Sequence, residues 1–235
     1  MPARGEIVSP QTQVGLSSRQ SLTPTDAFAK ALAANSEWAS KVAQSDTSFF
    51  ANSAKGQAPK VLWIGCADSR VPETTILGCQ PGDVFTHRNI ANILTPSDLS
   101  SLAVIEYAVA HLKVEHAVVC GHTSCGGVAA SLANSKLGIL DPWLQPIRAL
   151  RMSHSDELNS LTGDQKTRRL SELNVLGSLQ ALKQNATVIE AVKSRGLMVH
   201  GVIYDLASGR LENVDEMETE AQAKKRIEAF SLSHS

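Results

Sequence analysis

Residues 61–66 read VLWIGC, a short apolar run of residues that favour β-strands. The turn-prone stretch KGQAPK precedes it, so the run predicts a strand buried on both faces, as in a parallel sheet. Residues 83–88, 115–120 and 197–205 predict three further strands. Segments with helical spacing of apolar residues separate the strands, which predicts an α/β fold with a mostly parallel central sheet flanked by helices.

The helices between these strands are predicted from caps and periodicity. Thr25 and Asp26 can cap a helix that begins near Ala27 and runs to about Gln44, and Asp98 can cap another. Further helices are expected over residues 126–133, 142–153, 164–193 and 216–228. The residues expected on the buried side of the long 164–193 helix are Leu170, Leu173, Leu176, Leu179, Leu182, Ile189 and Val192.

The domain organisation follows from length and local composition. A chain of 235 residues fits one large domain. Residues 1–25 are rich in Ser, Gln, Thr and Pro and are expected to form a flexible arm, and residues 26–235 a single domain. The arm contains arginine and little acid, which is compatible with a weak mitochondrial transit peptide, but the cytoplasm is the expected compartment.

Charge and cysteine content restrict the function classes. Lys and Arg number 22 against 23 Asp and Glu, and aromatics make up 4% of the chain, which disfavours a nucleic-acid partner. The sequence contains no apolar run near the ~20 residues of a membrane span. Without a hydrophobic secretory region, the four cysteines are expected to serve as thiols, metal ligands or core residues.

Two polar segments follow predicted strands and carry candidate metal ligands. They read CADSR at residues 66–70 and GHTSCGG at residues 121–127. Ligands of parallel sheets bind at the carboxyl ends of the strands, where both segments fall. Cys66, His122 and Cys125 offer two thiolates and one imidazole, which suit Zn²⁺ and leave its fourth position open for catalysis. The simpler interpretation is a pair of buried thiols and a hydrogen-bonded histidine.

Asp68 and Arg70 lie on the same turn as Cys66 and suggest catalysis. The Asp68 carboxylate can orient a zinc-bound hydroxide, or it can itself ligate the fourth position. Arg70 can hold this carboxylate off the metal through charge-assisted hydrogen bonds, and an ordinary turn-stabilising ion pair is the alternative. Cys120 could be imagined as a fourth ligand, but it ends an apolar strand and is expected to pack in the core.

The combination Cys-x-Asp-x-Arg followed by His-x-x-Cys-Gly-Gly resembles the β-class carbonic anhydrases. The resemblance runs from about Gln57 to Asp205 and includes the segments FTHRNIAN, at residues 85–92, and EYAV, at residues 106–109. The residue His87 before Arg88 and the segment His-Thr-Ser-Cys, at residues 122–125, resemble fungal members of the family more than plant members.

The resemblance implies a function for each matching residue. It implies that Cys66, His122 and Cys125 hold one Zn²⁺ per subunit and that Asp68 and Arg70 form the catalytic dyad. By the same resemblance, Gln57 donates a hydrogen bond to substrate or bicarbonate. The resemblance also implies that Phe85 and Tyr107 line an apolar CO₂ pocket built at a subunit interface.

The resemblance also implies a homo-oligomer. A homodimer is the minimum unit, a tetramer is possible, and the N-terminal helical arm is expected to pack on the neighbouring subunit. His87 is a candidate proton shuttle, although a histidine on a strand is more often structural.

The sequence therefore predicts a zinc enzyme that interconverts CO₂ and bicarbonate by attack of zinc-bound hydroxide, with a role in bicarbonate supply and pH balance. The alternatives are a CS₂ or COS hydrolase on the same scaffold and a non-catalytic zinc- or bicarbonate-binding protein. Whether Asp68 ligates the zinc or pairs with Arg70 is left open by the sequence.

Overall fold

The computed structural model describes residue 23 and residues 26–133, 136–214 and 218–232, and within these residues five strands form one sheet. The strands are β1 (Val61–Cys66), β2 (Val84–Asn89), β3 (His116–His122), β4 (Met198–Asp205) and β5 (Arg210–Asn213), arranged in the order β2-β1-β3-β4-β5. Strands β1 to β4 run parallel and β5 is antiparallel to β4. The predicted α/β fold with a mostly parallel sheet is confirmed.

The chain divides into two compact units, Met1–Lys55 and Gly56–Ser235. The first contains α1 (Ala27–Ser45) and α2 (Phe49–Ser53). Helix α1 begins as predicted, because the Asp26 carboxylate accepts hydrogen bonds from the backbone N–H groups of Phe28 and Ala29. The flexible arm predicted for residues 1–25 lies outside the described residues, apart from Thr23.

The second unit surrounds its sheet with helices. They are α3 (Glu73–Ile76), α4 (Leu99–Glu106), α5 (Gly126–Leu132), α6 (Leu140–Trp143), α7 (Gln145–Ser153), α8 (Ser155–Asn159), α9 (Gly163–Lys183), α10 (Ala186–Arg195) and α11 (Glu220–Phe230). A 3₁₀ turn spans Ile90–Asn92, and a π-helical turn, Tyr107–His111, extends α4. None of the helices in the described ranges has the combined length and apolar character needed to cross a membrane.

Two apolar clusters form the core of this unit. The larger one joins Leu62 and Val119 of the sheet to Leu179 and Leu182 of α9 and to Val188 of α10. The smaller one lies beyond the carboxyl ends of the strands and includes the sulfur-bearing side chains of two predicted ligands. Its members are Cys66, Ala91, Ile93, Cys125, Val128, Leu144, Ile147, Leu158, Leu170 and Leu173. The candidate site is therefore part of a packed core.

The single helix predicted over residues 164–193 is wrong, because the chain breaks it into α9 and α10 at Gln184 and Asn185. The Asn185 side chain accepts a hydrogen bond from the backbone N–H of Val188 and so begins a new helix. Leu176, expected on the buried side, is only half-buried. Strand β5, a short edge strand that directly follows Gly209, where φ is +70°, was not predicted from the sequence.

Candidate metal centre

Two neighbouring parallel strands bring the predicted ligands to one edge of the sheet. Cys66 is the last residue of β1 and His122 is the last residue of β3. The two strands pair directly, with Gly65 opposite Cys120, so their carboxyl ends lie side by side. Cys125 follows as the N-cap residue of α5. Between the second and third ligands Ser124 has a φ of +54°, and this left-handed residue turns the chain sharply.

The three side chains form a compact, buried cluster. One ligand atom from each of Cys66, His122 and Cys125 lies within 4.8 Å of the other two, and their residues are 6%, 1% and 2% exposed. The His122 Nδ1 donates to the carbonyl oxygen of Thr123 at 2.9 Å, since a carbonyl can only accept. Its Nε2 atom is buried and has no hydrogen-bond partner within the protein.

This arrangement fits a zinc ion. A buried nitrogen without a partner is costly in an apolar core, and coordination would satisfy it. The Nδ1 hydrogen bond fixes the tautomer that leaves Nε2 free to ligate, as in known histidine–zinc sites. Two sulfurs and one imidazole are donors that Zn²⁺ prefers. Cys66, His122 and Cys125 are thus the residues that would hold the metal.

The thiols influence one another strongly. The Cys125 thiol hydrogen-bonds to the Cys66 sulfur and lowers the pKa of Cys66 to about 4, although burial opposes this. The same hydrogen bond, together with burial, raises the pKa of Cys125. Burial alone would lower the pKa of His122, but the negative charge on the nearby Cys66 sulfur raises it. The cluster thus holds negative charge ready for a cation.

Asp68 and Arg70 form a close ion pair beside the cluster. The Nε and one terminal nitrogen of Arg70 donate to the two Asp68 carboxylate oxygens at 2.9 and 2.7 Å, and the backbone N–H of Arg70 donates at 2.9 Å. This guanidinium holds the pKa of Asp68 well below its usual range. The Asp68 Oδ2 lies 3.8 Å from the His122 Nε2. In this structure Asp68 pairs with Arg70, and its carboxylate borders the site.

The structure does not bring the three predicted substrate-binding residues to this cluster within one chain. Gln57 is exposed in the segment before β1. Phe85 and Tyr107 pack together with ring centroids 5.7 Å apart. Phe85 pairs with Leu62, four residues before Cys66 on β1, which corresponds to about 13 Å along a strand.

Two contacts to Cys66 and Asp68 were not predicted from the sequence. The Arg88 guanidinium donates to the carbonyl oxygens of Cys66, at 2.9 Å, and of Asp68. The backbone N–H of Ala91 donates to the Cys66 sulfur at 3.3 Å. The contact of Arg88 could have been predicted from its position at the carboxyl end of the neighbouring strand. The contact of Ala91 could not, because every residue type except proline has a backbone N–H.

The other candidate residues lie outside the cluster. Cys120 is buried, burial raises its pKa to about 12, and it is not a member of the ligand group. The His87 side chain is buried, with its Nε2 3.3 Å from the Asn89 amide nitrogen, and burial lowers its pKa. Its assignment as a proton shuttle stays a prediction.

Comparison with known sequences identifies relatives. The family model described as carbonic anhydrase matches residues 61–211. A carbonic anhydrase of Emericella nidulans is 45% identical over 188 residues, which cover 79% of this chain and 82% of the relative. A carbonic anhydrase of Saccharomyces cerevisiae is 38% identical over 192 residues, which cover 78% of this chain and 86% of the relative.

Solved structures agree with these matches. The β-carbonic anhydrase CafA of Aspergillus fumigatus superimposes with a TM-score of 0.87 at 57% identity and covers 88% of this chain and 100% of its own. A tetrameric β-carbonic anhydrase of Sordaria macrospora superimposes with a TM-score of 0.78 at 51% identity and covers 79% of this chain and 95% of its own.

Proposed function

Because the chain belongs to the β-carbonic anhydrase family, whose general reaction is the reversible hydration of CO₂, we propose that it carries out this reaction with one zinc ion per chain, held by Cys66, His122 and Cys125. The observation that supports the proposal best is the buried ligand cluster with a carboxylate at its border. The ligand atoms lie within 4.8 Å of one another, and the Asp68 Oδ2 is 3.8 Å from the His122 Nε2.

The ligand set determines what the centre can do. When bound, zinc supplies a hydroxide nucleophile near neutral pH, because it lowers the pKa of water from about 16 to about 7 in favourable sites. The thiolates of Cys66 and Cys125 cancel the charge of the dication, so this acidification is weaker than with three histidines. Hydrogen bonds that draw electron density from the sulfurs offset part of that loss.

Asp68 orients the nucleophile. Its carboxylate borders the ligand cluster, and accepting a hydrogen bond from the attacking oxygen leaves a lone pair of that oxygen directed at CO₂. Arg70 keeps the carboxylate ionised and fixed through paired hydrogen bonds. An ionised, restrained carboxylate can accept a hydrogen bond but does not compete for the metal.

An apolar cleft beside the cluster suits CO₂. It has a volume of about 920 Å³, and Ala67, which lies between Cys66 and Asp68 in the chain, is one of its lining residues. Its walls include Ile90, Ile93 and Trp143. A small apolar substrate enters such a cleft at the expense of weakly held water, which favours CO₂ over charged competitors.

A second chain completes the site in this proposal. The Phe85–Tyr107 pair is displaced along the sheet from Cys66 in the same chain, so these rings, with Gln57, serve the pocket of a neighbouring subunit. The tetrameric relative from Sordaria macrospora supports a homo-oligomer. The helical arm of each subunit packs on its neighbour in the same assembly.

Stopped-flow CO₂ hydration with a parallel zinc determination tests the proposed function. Wild-type protein is expected to contain one zinc per chain and to hydrate CO₂, and Cys125→Ser is expected to lose both. Cys79→Ser is the matched control, because Cys79 is a free cysteine outside the ligand group. A Cys125→Ser protein with full zinc and wild-type turnover would contradict the proposal.

A further inference from the structure

The turn at Ile90–Asn92 has an unusual backbone and lies against the metal centre. Ala91 and Asn92 have φ angles of +62° and +47°, so two consecutive residues other than glycine are left-handed. L-residues rarely adopt this conformation because the side chain crowds the backbone. Such a turn persists only where surrounding contacts hold it.

Three consecutive carbonyl groups of this turn are each held by a side chain from a helix. The Trp143 Nε1 donates to the Ile90 oxygen at 2.9 Å, and the Asn174 Nδ2 donates to the Ala91 oxygen at 2.7 Å. The Ser178 Oγ donates to the Asn92 oxygen at 3.1 Å and accepts from the Leu94 N–H at 3.1 Å. These bonds fix the turn at every residue.

Two of these donors lie one turn apart on α9. Asn174 and Ser178 are each only 3% exposed, and they occupy positions on this helix that apolar residues would normally fill. A buried amide or hydroxyl is costly unless it is hydrogen-bonded, and here the partners are the carbonyl groups of the strained turn. The turn therefore supplies the hydrogen-bond acceptors that the buried side chains of Asn174 and Ser178 require.

The constrained turn directs a hydrogen bond at a metal ligand. The N–H of Ala91 points to the Cys66 Sγ at 3.3 Å, while the carbonyl of the same residue receives the Asn174 amide. The Ala91 N–H shares a peptide plane with the Ile90 carbonyl, which Trp143 holds. The Asn174 bond to the Ala91 carbonyl holds the next peptide plane and so keeps Ala91 in the left-handed conformation. The amide of Asn174 thus acts on the sulfur through one backbone residue.

We infer that Asn174 is a positioning residue of the metal centre, which holds the Ala91 N–H on the Cys66 sulfur, with Ser178 as its auxiliary. The inference rests on the proposed function, because it concerns a sulfur that ligates the metal. An N–H donor draws electron density from a thiolate, so the sulfur donates less to the cation. The cation then remains a stronger Lewis acid than two unrestrained thiolates would allow.

Cobalt substitution tests whether Asn174 positions the Ala91 N–H on the Cys66 sulfur, without relying on CO₂ hydration activity. Full-length wild type, Asn174→Ala and Ser178→Ala are loaded with Co²⁺, and the thiolate-to-cobalt absorption band and the Co²⁺ affinity are measured. The band is expected to move to lower energy in Asn174→Ala, because a sulfur without its N–H donor gives up electrons more easily. The affinity is expected to fall about 10–100-fold, because the loss of the ligand's fixed orientation outweighs the stronger electron donation by the free thiolate, as for other partners that orient metal ligands.

Ser171→Ala is the matched control. Ser171 is also buried on α9, but its hydroxyl donates to the Thr167 carbonyl within the helix and does not contact the turn. Its removal is expected to leave the band and the affinity unchanged. Ser178→Ala removes fewer atoms than Asn174→Ala and is expected to give a smaller shift of the absorption band in the same direction. If Asn174→Ala does not fold, the band of Ser178→Ala tests the inference instead.

The outcomes separate this inference from the proposed function. If Asn174→Ala and Ser178→Ala melt at lower temperature but keep the wild-type band and affinity, their role is only structural and the inference is overturned. If the wild type binds Co²⁺ without a thiolate band, the proposed ligand set fails first and the inference fails with it. A band shift confined to the two turn-holding variants supports the inference.

Discussion

Asp68 and Arg70 are separated by one residue, yet their contacts give them different tasks. The Asp68 side chain is 17% exposed and borders the ligand cluster, whereas that of Arg70 is 54% exposed. An ion pair this exposed contributes little to stability. Under the proposed function, its value lies in fixing one carboxylate next to the metal, which is a catalytic rather than a structural contribution.

Arg70→Ala is expected to lower kcat about 10–100-fold at unchanged zinc content, because the carboxylate of Asp68 is freed to turn toward the cation. Stopped-flow CO₂ hydration and zinc determination measure both quantities. Arg148→Ala is the matched control, since Arg148 pairs with Asp141 at 2.9 Å away from the cluster. An Arg70→Ala enzyme with wild-type kcat would remove the pair from the mechanism.

Protons and the metal compete for the same three side chains, which predicts a steep pH dependence of zinc affinity. The raised pKa values of Cys125 and His122 mean that these groups must lose protons on binding near neutral pH, whereas Cys66, with a pKa of about 4, is already a thiolate. Affinity therefore falls as pH falls, by about one decade per pH unit for each proton displaced.

Calorimetry in buffers of different ionisation enthalpy counts these protons. About one to two protons are expected to leave per zinc near neutral pH, the number increasing below the raised pKa of His122. Binding accompanied by no proton release would contradict the assignment of Cys125 and His122 as ligands.

The sequence was informative at the residue scale where chemistry depends on side-chain type. A cysteine and a histidine at the ends of neighbouring strands, with a second cysteine three residues after the histidine, predicted a cluster that the structure does bring together. The contacts from Ala91 and Asn174 could not be predicted. One is a backbone donor in an irregular turn. The other is a polar residue on the buried side of a long helix, and the spacing of apolar residues does not show which group such a residue contacts.

At the scale of elements, close packing of α9 on the sheet positions the centre. Gly121 in β3 leaves room for this helix, because a Cβ atom there would lie 2.6 Å from the Val175 Cγ2 and 2.9 Å from the Ile203 Cδ1. Gly121 directly precedes His122. The packing of one helix is thus coupled to the placement of His122, one of the three proposed metal ligands.

Gly121→Ala is expected to lower the free energy of unfolding by roughly 1–3 kcal/mol, the usual cost of overpacking a core. Urea denaturation at a fixed zinc concentration measures it. Gly126→Ala is the control, because nothing lies within 4 Å of a Cβ atom at that position. Equal stability of the two variants would show that α9 and the sheet can separate without cost.

Element boundaries were predicted less well than element types. Strands β1, β3 and β4 and the capped helices α1 and α4 were predicted from apolar runs and from Asp26 and Asp98. The division between α9 and α10 was missed because apolar spacing continues across it, and only the capping side chain of Asn185 marks the break.

At the scale of the whole molecule, the proposed site needs two chains. Cys125→Ser abolishes one chain's own metal centre, and Tyr107→Ala removes a ring that we assign to the neighbour's pocket. When the two inactive variants are dissociated and reassociated together, a mixed dimer contains one site with an intact metal centre and an intact ring.

Random reassociation into two-fold symmetric dimers is expected to recover about a quarter of the wild-type CO₂ hydration sites. Each variant treated alone is the control. If mixing yields no more activity than the average of the separate variants, Tyr107 acts within its own chain or not at all, and the composite pocket is wrong.

Zinc-edge X-ray absorption of the purified full-length protein tests the ligand set directly. The account predicts two sulfurs at about 2.3 Å and one imidazole nitrogen at about 2.0–2.1 Å, with one further light atom completing four-coordination. The sulfur count is expected to drop to one in any zinc that Cys125→Ser retains. A zinc surrounded only by nitrogen and oxygen in the wild type would contradict the account.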